Sequence, residues 1–195
     1  MVGYTTTLEN HMTMFKIALG ALAMTALQAT AHPPEAARAQ GAFFAQLGKL
    51  CGATYEGASV FPRDPADSFA GKKLVAHIAA CKPEEIRIPF LVGEDRSRTW
   101  IIRNERTGLT LKHDHRHADG TPDAVTMYGG LASDGGTTLA QSFLADAHTA
   151  ELIPAASTNV WTLSLSADAS TMTYYLERDG KPRFKAELRR VANAK

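Results

Sequence analysis

The sequence predicts an all-β protein: an antiparallel up-and-down meander of roughly eight to ten strands, closed into a barrel, with a short helix on its N-terminal side. A two-sheet sandwich is the alternative. Three observations lead there. Apolar residues alternate with polar ones in several separate runs, the period of a half-buried strand. The runs are separated by short turn signals, Thr107-Gly108, Asp119-Gly120, Asp134-Gly135 and Asp179-Gly180. Their spacing, near a dozen residues, suits neighbouring strands joined by tight connections. A meander of this length leaves no open edge if it closes on itself.

Taken in order, the chain begins with a candidate export signal. Residues 1–31 read as a signal peptide: Lys16, an apolar run from Ile17 to Leu27, then Ala29-Thr30-Ala31. The run is shorter than the roughly 20 residues a spanning helix needs. Met1 to Thr13 contains no Lys or Arg, so Met12 or Met14 is the expected translation start. Cleavage after Ala31 exposes His32, whose amine and ring can chelate copper. The stretch 32–40 is rich in Ala and Pro and reads as mobile. Residues 41–195 then suit one barrel domain. Phe43, Leu47 and Leu50 recur at helical spacing and predict a short helix that caps or plugs the core.

Export makes the two cysteines, Cys51 and Cys81, a candidate disulfide. Ala66 is their midpoint, and it lies in the turn-rich stretch Phe61 to Ser68. A hairpin about that turn brings the cysteines opposite each other. Two buried free thiols are the alternative.

Four runs then carry the alternation. Ile86, Ile88, Phe90 and Val92 form one inward set; Trp100 and Ile102 form another. Trp161, Leu163 and Leu165 form a third, and Phe184, Ala186 and Leu188 a fourth. Between them lies the segment that hints at chemistry, Leu109-Thr110-Leu111-Lys112-His113-Asp114-His115-Arg116-His117. Side chains on a strand change face at every residue, so three imidazoles continue the inward face of Leu109 and Leu111. A hairpin through Glu105 to Gly108 pairs apolar with apolar: Asn104 with Leu109, Ile102 with Leu111, Trp100 with His113. It continues with Arg98 opposite His115 and Arg96 opposite His117. The pair is therefore apolar at its turn and polar at its far end, the design of a small-ligand site with an apolar floor and a polar mouth.

The strings EIRIPF-x-VGEDRSRTW (Glu85 to Trp100), KHDHRH-x-DG (Lys112 to Gly120), T-x-YGG (Thr126 to Gly130) and TNVW (Thr158 to Trp161) resemble a group of exported bacterial proteins. The resemblance covers most of residues 32–195 and implies an exported bacterial origin, periplasmic or extracellular. It implies no activity and no site residues. The expected barrel is similar in kind to the lipocalin-like barrels.

The functional expectation follows from the histidine face. The first reading is a binding module for a small apolar or amphipathic ligand, with Arg98, Trp100, His113, His115, His117 and Tyr128 as candidate ligand-binding residues. The second is a metal-binding protein or metal-dependent enzyme in which His113 and His115 hold a divalent transition metal such as zinc. Residues two apart on a strand lie about 7 Å from each other, so two of the three imidazoles can share an ion and a third ligand must come from elsewhere. His77, His148, Glu94 and Asp95 are the candidates for it. The third reading is a packed envelope interaction protein with no ligand. Arg96-Ser97-Arg98 beside Glu94-Asp95 reads either as an anion clamp or as a solvated strand end. Tyr128-Gly129-Gly130 marks either a close backbone approach or a bend. Catalysis has little support: there is no nucleophile elbow and no Gly-rich phosphate loop, and the Glu84-Glu85 pair points to opposite faces of a strand. Charge is balanced at +1 with no basic block, which argues against nucleic acid as a partner. No second apolar span follows the signal, and the pattern is silent on oligomeric state.

Overall fold

The computed structural model describes residues 1–3 and 34–192. The expected signal peptide, the alternative start sites and His32 lie outside the described residues. All elements fall in the unit Ala31–Lys195. They are helix α1 (Pro34–Lys49), strands β1 (Thr54–Phe61), β2 (Leu74–His77), β3 (Ala80–Cys81), β4 (Glu85–Val92), β5 (Asp95–Glu105), β6 (Gly108–His115), β7 (Tyr128–Leu131) and β8 (Ala140–Leu144), helix α2 (Ala147–Leu152), and strands β9 (Val160–Leu165), β10 (Thr171–Arg178) and β11 (Lys181–Val191). A single 3-10 turn, Pro154–Ala156, follows α2. Among the described residues no helix is long and apolar enough to cross a membrane.

The strands form one antiparallel sheet in the order β7-β6-β5-β4-β2-β1-β11-β10-β9-β8, with β3 paired to β4 off that path. The sheet curls into a nearly closed ten-strand barrel. Its ends, β7 and β8, meet at a seam: Ala132 bridges Phe143, and the Ser133 N–H donates to the Ser142 carbonyl at 2.7 Å. The seam explains Gly130, and the β6 backbone on the other side of β7 explains Gly129. A side chain at Gly130 would strike the Leu144 carbonyl at 1.8 Å, and one at Gly129 the Leu111 carbonyl at 2.0 Å. The glycines let neighbouring backbone, not a ligand, come close.

Alternation decides what faces in. β4 buries Ile86, Ile88, Phe90 and Val92 and leaves the residues between them half-buried. β9 repeats this with Trp161, Leu163 and Leu165, and β11 with Phe184, Ala186 and Leu188. The β5–β6 hairpin takes the expected register: Asn104 opposite Leu109, Ile102 opposite Leu111, Trp100 opposite His113, Arg98 opposite His115. The next expected pair, Arg96 with His117, does not form. β6 ends at His115, and the chain turns so that Arg116 bridges Pro122 while the Arg116 guanidinium donates to Asp114 Oδ2 and the Gly120 carbonyl. Strand parity stops there, and His117 is exposed in the loop.

Helix α1 begins at Pro34, inside the 32–40 stretch that reads as mobile in the sequence. Proline suits the first helical position and alanine is the strongest helix former, so this Ala-rich, Pro-led segment is helical once it has a surface to cover. That surface is one end of the barrel, next to β5, β6 and β8. Ala36, Gln40, Phe43, Phe44 and Leu47 are buried along one stripe. The Gln40 side chain accepts from the Leu109 N–H at 2.9 Å, beside the β5–β6 turn, and so satisfies a buried donor at the plugged end. Cys51, just past the helix, is disulfide-bonded to Cys81 on β3, with Cα atoms 6.1 Å apart. The β1–β2 pairing, Thr54 with His77 through Gly57 with Leu74, supplies the expected hairpin that brings the cysteines together.

Candidate functional site: an aromatic cavity with an arginine mouth

The plug closes one end of the barrel, and a cavity of about 310 Å³ opens at the other. This volume falls at the small end of the range for ligand sites. β5 runs from mouth to plug, so Arg98 lies at the rim and Trp100 lower down. Inward positions on β6, β9 and β10 bring His113, Trp161 and Tyr174 to the same wall. The rings are ordered against one another. Phe90 stacks on Trp100 with centroids 4.4 Å apart, and Trp100 on Tyr174 at 4.5 Å. Tyr128 lies flat on the His113 imidazole, 4.6 Å away at 10°.

His113 is 3% exposed, and both its ring nitrogens have partners. Nδ1 is 3.2 Å from the Tyr128 carbonyl, and Nε2 is 2.7 Å from the Tyr174 hydroxyl. A carbonyl only accepts, so Nδ1 carries the proton and Nε2 accepts from Tyr174. The imidazole is neutral, because burial pulls its pKa down to about 3. Burial likewise pushes Tyr128 up to about 12 and raises Tyr174 well above the usual phenol value. The polar groups of the floor are thus uncharged at neutral pH.

His115 lies behind Tyr128, with Nε2 3.1 Å from its hydroxyl, and does not reach the cavity wall. Burial, and then the nearby Arg98 charge, lowers its pKa. His117 is exposed beyond the end of β6 and lies away from the cavity. Of the six residues singled out in the sequence, the cavity gathers Arg98, Trp100, His113 and Tyr128. The imidazoles do not assemble a metal centre. His113 has spent both nitrogens on tyrosine and backbone, and among the described residues no group of three or more His, Cys, Asp or Glu is placed to hold an ion.

The mouth is basic. Arg98 donates to Asp95, and its guanidinium lies over the Phe69 ring, 5.6 Å from the centroid. Burial alone would raise the Asp95 pKa, but the Ser97 N–H and hydroxyl and the Arg98 guanidinium outweigh it and hold the carboxyl at about 2. Arg178 Nε donates to Asn159 Oδ1 at 2.8 Å, and Arg183 completes the rim. Sequence reading missed these two arginines, along with Tyr174 and Phe69. Continuing the inward parity of Met172, Tyr174 and Leu176 would have found Arg178. Phe69 sits in the loop between β1 and β2, where no period applies; it packs on Phe184 at 4.7 Å.

Compared with known proteins, the chain matches no family model, no curated sequence and no solved structure.

Proposed function

We propose that this chain is an exported binding module that holds one small amphipathic molecule, its apolar body against the aromatic wall and its polar end at the arginine mouth. The observation that carries this reading is the cavity itself. A barrel built only for packing fills its interior, whereas here about 310 Å³ stays open between stacked aromatic rings and a charged rim. A neutral His113–Tyr174 pair and protonated tyrosines suit a floor that meets an uncharged ligand body. Export is supported by the leader-like pattern of residues 14–31 and by the Cys51–Cys81 bridge, which persists in oxidising compartments.

Uncharged N-phenylnaphthylamine tests the cavity. It should bind saturably at one site per chain, with energy transfer from Trp100 and Trp161. Leu176→Trp, at a half-buried wall position, should fill the space and abolish that signal while the thermal melt stays cooperative. No saturable binding, or full binding by a folded Leu176→Trp protein, would refute the reading.

A further inference from the structure

We infer that the ligand is a flat aromatic anion, an aryl carboxylate or its like, whose charged group is taken by Arg178 and Arg183 while its ring lies along Trp100 and Tyr174. This rests on the cavity being the ligand site proposed above. The first support is how the arginines reach the mouth. Arg178 continues the inward parity of Tyr174 and Leu176 on β10, so a cation follows an aromatic and an aliphatic side chain along the inner face to the mouth. Arg183 arrives by a different route. On β11, Phe184, Ala186 and Leu188 face inward, and strict alternation would send Arg183 outward. The pairing slips at this point: Leu176 opposes Phe184, but Glu177 opposes Pro182, which leaves Arg183 as the extra residue of a β-bulge. The bulge turns its side chain to the cavity rim, the re-aiming that bulges provide.

The second support is the charge balance. Arg98 already holds Asp95. Arg178 uses only Nε, on the neutral Asn159 amide, which leaves its terminal nitrogens for another acceptor. Among the described residues Arg183 has no hydrogen-bond or ion-pair partner. Asp67, which lines the cavity, and Asp64, which lies with Asp67 and Arg183 around the adjoining hollow, each accept from a backbone N–H in their own turns and form no ion pair with either arginine. Two guanidinium groups on one rim, neither ion-paired to a carboxylate, favour an anion, and their fork suits a carboxylate bidentately. The third support is shape. The wall is built of stacked ring pairs, Phe90 on Trp100 at 20° and Trp100 on Tyr174 at 23°, with Phe90 and Tyr174 tilted by 43°, and offset stacking adds a flat ring to such a wall more readily than a flexible chain. The small volume fits one fused ring system with its anionic group.

Two probes that share one body separate charge from cavity. Anilinonaphthalene sulfonate carries the anion that N-phenylnaphthylamine lacks. The sulfonate should bind about tenfold tighter than the neutral probe, a gain typical of charge-assisted hydrogen bonds. Arg183→Gln, an exposed change with no partner to lose, should weaken the sulfonate about threefold and leave the neutral probe unchanged. Arg178→Gln combined with Arg183→Gln should remove the preference altogether. Naphthoate should displace the sulfonate better than decanoate and better than naphthamide. Equal affinity for the two probes, or a preference that survives the double substitution, overturns the anionic ligand while leaving the cavity reading intact. Stronger displacement by decanoate overturns the aromatic one. Failure of the neutral probe to bind removes the cavity reading and this inference together.

Discussion

At the scale of single residues, His113 connects packing to pH. It is buried, neutral, and fixed in one tautomer between the Tyr128 carbonyl and the Tyr174 hydroxyl. Its folded pKa, about 3, lies below the usual value of 6.5. Between these values the unfolded chain takes up a proton that the folded one refuses, so folding stability is complete above about pH 6.5 and falls as pH drops towards 3. At pH 5 the loss from this residue alone is about 2 kcal/mol. The lowered pKa of His115 adds to it in the same direction. Asp95 does not confuse the window: its folded pKa of about 2 is below the usual 3.8, so its contribution is lost only at lower pH. Urea titrations at pH 7.5 and pH 5 should therefore show a marked drop for the native chain and a smaller one for His113→Gln. Equal pH dependence in the two proteins would show that His113 is not the group excluded from protonation.

At the scale of elements, the seam between β7 and β8 is where the barrel is held shut with the fewest ladder bonds, and α2 supplies what the ladder lacks. The Thr149 hydroxyl accepts from the Gly129 N–H at 2.7 Å and lies 2.7 Å from the Gly129 carbonyl, with no exposed surface. Asp146 caps α2 by accepting from the Thr149 N–H at 2.9 Å, and Lys112 on β6 pairs with the same carboxylate. Thr149→Val keeps the shape but leaves the Gly129 N–H buried without an acceptor, at a cost of about 1–3 kcal/mol. Thr149→Ser keeps the hydroxyl and should lose less. Amide exchange at Gly129 should quicken in the valine variant and stay slow in the serine variant; matched behaviour of the two would show that the hydroxyl does not hold the seam. None of this was legible beforehand. Six helical residues behind a Gly-Gly strand leave no periodic trace, whereas β4, β5, β6, β9 and β11 announce themselves by alternation. The β5–β6 register was legible because a slip by one residue would have turned either Trp100 and Ile102 or Leu109 and Leu111 to the outside. The same rule failed for His117 and Arg183, since a loop and a bulge both suspend the period that it depends on. The candidate site was therefore half readable: Trp100 and His113 stood out on their strands, Tyr174 and Arg178 on β10 were readable by parity but carried no motif to single them out, and Arg183 and Phe69, placed by a bulge and a loop, left no period.

At the scale of the molecule, the barrel has one plugged end and one open end, and the Cys51–Cys81 bridge ties the plug to the sheet. Cys51 follows α1 directly, and Cys81 sits on β3 against β4. The bridge therefore fastens the C-terminal end of α1, whose buried stripe includes Phe43 and Leu47, to the sheet at β3. The bridge spans 30 residues of sequence, and closing a loop of that length in the unfolded chain is worth about 3–4 kcal/mol. The mouth lies at the other end of the barrel, so the bridge should govern stability and leave the site's chemistry alone. This gives a prediction that also bears on export. The full chain, expressed in bacteria and recovered from the periplasm, should show no free thiol when denatured without reductant. Residues 32–195 made in the cytoplasm should show two thiols per chain, unfold at lower urea by the equivalent of about 3–4 kcal/mol, and regain the difference on oxidation. Binding of N-phenylnaphthylamine below the unfolding transition should be the same for both forms. Two reactive thiols in the periplasmic protein would reject the bridge in its own compartment. Equal urea midpoints would mean that the plug is held by the α1 packing alone, and a large loss of probe binding on reduction would mean that plug and mouth are coupled through the barrel wall.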